Sequence, residues 1–267
     1  MRPNIFILFI ATAFTLLSCE QTIDVDLPYE RLIVVNTFVG RTMDSLAWIS
    51  RTLPATEEAT FENAAIMDAN VKMYWRDTVY QLSPMTSKRG FVLPPPDTRW
   101  QGDSMRMVVE WGGLRAESNA RMPIAPTLTK VSVVPKKGDP DYRTIVVTLR
   151  TRPGCVIWLQ RGFISRERAE PPMDTYNYYR VVPGDPEGPE QEVTIDTGDN
   201  YYLGPGGSIE VMVCTADAVY AKFLDEPRRN SDDPFSFGGA STFTNVGGRG
   251  IGMFVPVVSV IETVVVE

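Results

Sequence analysis

The chain has 267 residues, is 43% hydrophobic and 22% charged, and sets 26 Lys and Arg against 33 Asp and Glu for a formal charge of -7. It has no histidine, which removes Ser-His-Asp and Cys-His nucleophile pairs, histidine proton shuttles and histidine-based zinc sites. An acidic balance with scattered Arg and Lys excludes a basic face for nucleic acid, while the length suits one large domain or two of about 100 to 150 residues.

Met1-Arg2 gives a short positive start, and Ile5 to Leu17 is an apolar run of thirteen. That is shorter than the roughly 20 residues a membrane-spanning helix needs, and it reads as a signal-peptide core. Leu16-Leu17-Ser18-Cys19 follows at once, in the order large apolar, apolar, small, Cys, which resembles the bacterial lipobox. Residues 1–18 are therefore expected to be a lipoprotein signal peptide, with Cys19 carrying diacylglycerol and an N-acyl chain. At about 0.8 kcal/mol per buried methylene, several such chains hold a protein on a membrane. Residues 19–31 are polar with one proline and read as a tether.

From Leu32 the character changes. Leu32–Val39, Leu46–Ser50, Val71–Trp75, Thr78–Leu82, Met105–Glu110 and Leu114–Arg121 are short, β-branched or aromatic, and often alternate with polar residues, the period of half-buried strands. Gly90, Pro94-Pro95-Pro96 and Gly112-Gly113 break them, and Gly112-Gly113 is the strongest hairpin signal. Residues 32–124 thus read as an antiparallel sandwich of about seven strands, immunoglobulin-like or carboxypeptidase-regulatory-like. The prolines of Met122-Pro123-Ile124-Ala125-Pro126 mark a domain boundary.

Residues 125–267 form a second β-rich domain, with strands at Lys130–Val134, Thr144–Arg150, Val156–Phe163, Tyr176–Val182, Glu192–Asp196 and Ser208–Cys214. Thr215 then caps one helix, Ala216 to about Asp225, with Val219, Tyr220, Phe223 and Leu224 on one face and Pro227 to stop it. The tail Met253–Val255 and Val257–Val265 is strongly strand-like and, hazardous as an open edge, is expected to be paired inside a sheet. The fold class expected is all-β: two β-sandwich-like domains and one short helix near the C-terminus. Cys155 and Cys214 both fall in predicted strands, and the sequence leaves open whether they pair or stay as two buried thiols.

Ser18-Cys19-Glu20 with Ile23-Asp24-Val25-Asp26-Leu27-Pro28 resembles the opening of a family of Bacteroidota outer-membrane lipoproteins, the domain of unknown function 4249 family. Further similarity lies in Ile49-Ser50-Arg51-Thr52, Asp68-Ala69-Asn70-Val71 and Tyr178-Tyr179-Arg180. The most specific matches are Asp233-Pro234-Phe235, Thr244-Asn245-Val246-Gly247-Gly248 and Gly250-Ile251-Gly252-Met253-Phe254. Arg249 and Val255-Pro256 depart from the pattern. The resemblance implies a two-part β-rich lipoprotein in the cell envelope, on the periplasmic or surface face of the outer membrane. It also implies an association with a TonB-dependent receptor, and it supplies no catalytic residues.

Other motifs compete. Ile195-Asp196-Thr197-Gly198 is the string of aspartic proteases, in which two aspartates share a proton. One copy is present, and Asp-Thr-Gly-Asp-Asn between strands is also β-turn composition, the reading adopted. Gly248-Arg249-Gly250-Ile251-Gly252 lacks the strand-before, helix-after context of a nucleotide loop and points to close backbone approach. Acidic pairs at Asp139/Asp141, Asp185/Glu187 and Asp232/Asp233 lack the spaced ligand series of a calcium loop, and no lysine has a serine three residues before it as Ser-Lys catalysis asks. No metal or cofactor is expected. Trp48, Trp75, Trp100, Trp111, Trp158, Tyr176, Tyr178 and Tyr179 suit a sugar platform or a core, and core is preferred.

The function expected is a non-catalytic outer-membrane lipoprotein, an accessory or binding subunit of a TonB-dependent receptor. The alternatives are a carbohydrate- or peptide-binding lipoprotein in nutrient capture and, third, a carboxylate-based hydrolase. Exposed aromatics on one rim would mark the sugar binder, facing carboxylates in a cleft the hydrolase, and an apolar sheet face or edge a protein partner. Phe235, Phe237 and Phe243 punctuate a polar, Gly-rich run. They are the candidate partner contact, the alternative being that they plug the protein's own core beneath a long loop.

Overall fold

Alternation at period two sets the architecture. In β1 (Ile33–Val39) every second side chain is buried, and the same pattern runs through β3 (Asn70–Trp75). A computed structural model describes residues 29–40, 46–136, 138–164, 178–197, 208–217, 220 and 244–265, and over these the chain is all-β. The remaining strands are β2 (Leu46–Arg51), β4 (Thr78–Gln81), β5 (Ser83–Met85), β6 (Gly90–Val92), β7 (Ser104–Trp111), β8 (Leu114–Arg121), β9 (Thr127–Lys136), β10 (Asp139–Thr151), β11 (Cys155–Ile164), β12 (Tyr178–Val182), β13 (Gln191–Asp196), β14 (Ser208–Asp217), β15 (Val246–Gly248) and β16 (Gly250–Val265). One helical turn, α1 (Phe61–Ala64), is capped by the Thr60 hydroxyl, which accepts from the Asn63 amide.

Two sandwich-like halves share one long sheet ordered β12-β11-β14-β16-β1-β2-β6-β5. The β16–β1–β2–β6–β5 end packs on the five-stranded sheet β15-β8-β7-β3-β4. The core between them holds Ile33, Ile49, Met73, Phe91, Trp100, Met105, Met107 and Phe254. The β12–β11–β14–β16 end packs on the three-stranded sheet β13-β10-β9 around an aliphatic core of Ile145, Val147, Leu149, Ile157, Val193, Ile195, Ile209, Val211 and Val213.

The sharing is done by β16. Its residues Gly250–Pro256 pair in parallel with β1, ending at Val39 opposite Pro256. Its residues Val257–Val265 pair antiparallel with β14, beginning at Ala216. Pro256, which has no N–H, sits at the handover, where a missing ladder donor is tolerated.

The predicted boundary at 122–126 is an irregular segment between β8 and β9, but the block 32–124 is not closed by itself. Residues 246–256 cross back to supply β15 and the first half of β16 to its two sheets, and residues 31–267 form one compact unit. The antiparallel expectation is corrected at β1–β16, a parallel pair between segments more than 200 residues apart. Thr215 is not a helix cap. β14 runs on through Asp217 because both neighbours continue, Cys155 standing opposite Asp217 and Val257 opposite Ala216, so ladder bonds on two sides outweigh one capping bond. Of the predicted helix beyond Asp217, only Tyr220 is described.

The β7–β8 hairpin turns on Gly112 and Gly113 at φ 53° and 79°, the pair of positive angles a two-residue turn needs.

Candidate functional site

Cys19, Phe235, Phe237 and Phe243 lie outside the described residues. Tyr176, Asp232 and Asp233 also lie outside them, and the candidates whose side chains are described serve structural contacts.

Asp196 ends β13, and its Oδ1 accepts from the Thr144 hydroxyl at 2.7 Å. The Thr197 amide donates to the Ile145 carbonyl at 3.1 Å. Asp196 and Thr197 therefore close the β10–β13 ladder. Trp75, Trp100 and Trp158 are buried, as the preferred core reading requires. Trp111 is half-buried, and its Nε1 donates to Asp68 at 2.9 Å while the Arg31 guanidinium lies 4.0 Å over its ring. Of the acidic pairs, Asp185 accepts from the Glu187 amide at 3.0 Å, and Glu187 pairs with Arg121 and with Arg152 at 3.8 Å. That carboxylate ties the end of β8 to the turn after β12. Among the described residues no cluster of three or more metal-ligating side chains forms.

The glycine-rich string is a corner where the chain passes from one sheet to the other. β15 pairs with β8, the Arg249 amide donates to the Arg115 carbonyl at 2.8 Å, and the Arg249 carbonyl accepts from Ile33 at 3.0 Å as β16 begins against β1. A Cβ on Gly250 would stand 2.4 Å from that of Ala116, and one on Gly252, at φ 107°, would stand 2.1 Å from the Val35 carbonyl oxygen. Asn245 completes the corner. Its side-chain amide donates to the Phe254 carbonyl at 2.8 Å and accepts from the Phe254 amide at 2.9 Å, replacing a neighbouring strand. The Ser118 hydroxyl donates to the Asn245 carbonyl at 2.7 Å. The motif that singles out this C-terminal region is a stitch between sheets.

The most elaborate polar node lies at one end of the first sandwich. Asp103 Oδ2 accepts from Trp75 Nε1 and from Arg76 Nε, both at 2.8 Å. These bonds hold its carboxyl below the usual carboxylate range, Trp75 contributing most and Arg76 next. Arg76 takes φ 50° in the β3–β4 turn, and the bond to Asp103 supports that left-handed conformation. Trp75 and Tyr80 both meet Trp100 edge to face, at 6.4 and 6.0 Å.

On the outer face of the five-stranded sheet, Arg115 bridges Glu110 and Glu117 at 2.8 and 3.2 Å, and Asn70 donates to Glu110 at 2.9 Å. The guanidinium of Arg106 lies 4.3 Å over Tyr74. These are exposed pairs of a solvated face.

Cys155 and Cys214 are both buried and neither is in a disulfide. Cys155 belongs to the second core, and Cys214 to a third cluster on the reverse face of β11, β14 and β16 with Val156, Trp158, Met212, Met253 and Val255. Burial pushes the Cys155 thiol up, away from the thiolate that reacts.

The far half of β16 lacks a neighbour on one side among the described residues. From Val258 to Val265 it pairs only on its β14 side among the described residues, because β1 ends at Val39 opposite Pro256 and Gly40 lies against the Val257 carbonyl. Along this stretch stand Ile261 and Val265, 44% and 63% exposed. They share the face of Met212 and Ser208, opposite which they pair. The sequence predicts that this tail is paired, which holds for one edge and not for the other. An open, apolar strand edge presents unpaired N–H and C=O groups together with side-chain area, the chemistry that recognises another extended polypeptide. No protein-family model and no curated protein matches the chain.

Proposed function

We propose that this chain is a non-catalytic assembly subunit of the outer membrane, held there by lipid on Cys19 and related to the domain of unknown function 4249 family. The observation that carries the reading is the edge Val258–Val265, which lacks a neighbour on one side among the described residues, a polypeptide-docking feature on a body that begins about a dozen residues after the lipobox cysteine. The groups with reactive potential point the same way. Asp196 is engaged in a strand end, Cys155 and Cys214 are buried, and Asp103 is held by Trp75 and Arg76.

In this reading the tether places the sandwich within a few tens of ångströms of the membrane, since an extended chain spans at most about 3.3–3.6 Å per residue. A TonB-dependent receptor in the same membrane is the partner proposed, and Phe235, Phe237 and Phe243 remain the candidate contact with it.

The test of the anchor is Cys19→Ala. Metabolic labelling with a fatty acid followed by fractionation should show label and membrane association in the wild type and neither in the variant; a variant that stays labelled on the membrane defeats the lipobox reading. Affinity capture of the wild-type chain from solubilised membranes should then recover a TonB-dependent receptor, and a chain recovered without one contradicts the partner.

A further inference from the structure

The open edge of β16 is self-complementary. Residues 257–265 read Val-Val-Ser-Val-Ile-Glu-Thr-Val-Val. Read in either direction from Ile261, the string keeps the same chemistry except that Val260 answers Glu262. A closed two-fold contact needs one patch that complements itself, and two antiparallel edges related by such an axis meet this string with its own reverse. We infer that the chain pairs with a second copy of itself through Val258–Val264, the axis passing at Ile261. This deepens the assembly reading above by naming the occupant of that edge.

The register follows from the side chains. With Ile261 opposite its counterpart, Ser259 faces Thr263 and Val258 faces Val264, while Gly40 already lies against the Val257 carbonyl. Ile261 is 44% exposed and Val265 63% exposed in the single chain. Covering Ile261 gives the apolar gain, since cross-strand apolar pairs are the unit that stabilises a sheet. Ser259 Oγ is buried and finds no hydrogen-bond partner. Ser259, Ile261 and Thr263 lie on one face, opposite Cys214, Met212 and Glu210 of β14, so the second copy's Thr263 hydroxyl arrives on the face that holds the orphaned serine. Glu262 falls opposite Val260, with its carboxylate on the other face.

Neighbouring registers are worse. Centring the axis on Glu262 sets two carboxylates face to face, which repel. Centring it on Val260 sets Ser259 against Ile261 and leaves the hydroxyl unpartnered. The contact would run the sheet through the axis in the order β14, β16, β16, β14 and close the edge that lacks a neighbour among the described residues.

The experiment uses the full-length chain in its membrane, with single substitutions Ile261→Cys and Glu262→Cys under mild oxidation and non-reducing electrophoresis. Cα atoms directly opposite in an antiparallel pair are about 4.5–5.5 Å apart, within disulfide reach. Ile261→Cys should give a covalent dimer at least about tenfold faster than Glu262→Cys, whose counterpart is displaced along the strand. Sedimentation in detergent reads the same contact without cysteine, with wild type at twice the monomer mass and Ile261→Lys at the monomer mass. The inference is overturned by a wild-type chain that sediments as a monomer, by equal cross-linking of the two cysteine variants, or by an Ile261→Cys chain that cross-links to a different protein. The last result leaves the assembly reading standing and removes only the self-pairing, whereas loss of the fatty-acid label bears on the anchor alone.

Discussion

The two sandwiches are closed by different means. The first is a mosaic of strands three to eight residues long, apart from its share of β16. It is held by side-chain locks: Trp75 on Asp103, Trp111 on Asp68, Asn245 on the Phe254 backbone, and Trp100 beneath two aromatic edges. The second is built from β9, β10, β11 and β14, ten to thirteen residues long, around Val, Ile and Leu, with the locks reduced to threonine contacts such as Thr144–Asp196. Short strands leave many backbone ends, each needing a partner, so polar side chains are recruited to the joints. Long ladders satisfy their backbone internally and need few locks, but they end in long edges. The edge that lacks a neighbour among the described residues lies in the second half for that reason.

Because β16 belongs to both halves, the largest effect is expected where it is stitched. Gly252→Val asks a branched residue to adopt φ 107° with its Cβ 2.1 Å from the Val35 carbonyl oxygen. Backbone strain of this kind costs about 1–3 kcal/mol before the clash is added. Denaturant unfolding should show a midpoint shifted strongly downward, with tryptophan fluorescence, which is dominated by the first half, and far-ultraviolet dichroism moving together in one transition. Two separated transitions would show that the halves unfold independently, and the comparison would then be between two domains.

The sequence makes the second half legible almost strand by strand, because long β-branched ladders carry their period in the residues. The strands expected at Thr144–Arg150, Val156–Phe163 and Glu192–Asp196 are all present, each extended by at least one residue. In the first half it finds β1, β2, β3, β4, β7 and β8 but misses β5 and β6, three-residue strands around Pro84 and Gly90 that only tertiary pairing holds in place. Periodicity also cannot report which distant strands meet, so the parallel β1–β16 pair and the sharing of β16 were invisible. The glycine corner was read correctly as close backbone approach, while the role of Asn245 was not found. Its only signal was a position within the Thr244–Gly248 motif, and a lone Asn before a strand has many uses. The open edge was half legible: the apolar run was seen, but which of its two sides lacks a neighbour is a property of topology.

The locks differ from the ladders in pH response, and Asp103 tests this. Its pKa lies below that of an ordinary carboxylate through Trp75 and Arg76. The stability it contributes is therefore present above the unfolded-state value, about 3.9, and is lost as pH falls through the lowered folded value. Asp103→Asn should lower the melting temperature modestly at neutral pH, and the gap from wild type should shrink as both are acidified below about pH 4. Melts across that range check it, and a gap that widens on acidification would mean that the lock is not electrostatic.

The smallest effect is expected from reductant, and it tests whether the second half relies on its ladders alone. Cys155 packs in the second core, while Cys214 faces the third cluster on the opposite side of the same sheet. In register Cys155 stands opposite Asp217 and Cys214 opposite Trp158, so no sheet-preserving movement brings the two sulfurs together. The Cys155 Sγ also donates to the Arg152 carbonyl at 3.2 Å, which ties the thiol to its own turn. Melting temperatures with and without reductant should coincide. Labelling of Cys155 and Cys214 by a small maleimide should be slow in the native state, because both thiols are buried and burial raises that of Cys155. In Gly252→Val the labelling of these second-half thiols should accelerate together with the fall in midpoint, since the strained strand pairs with β14, which carries Cys214 and pairs in turn with the β11 that carries Cys155. Acceleration without a shift in midpoint would place a local opening in the second sandwich, and its long ladders would then be less self-sufficient than the locked joints of the first.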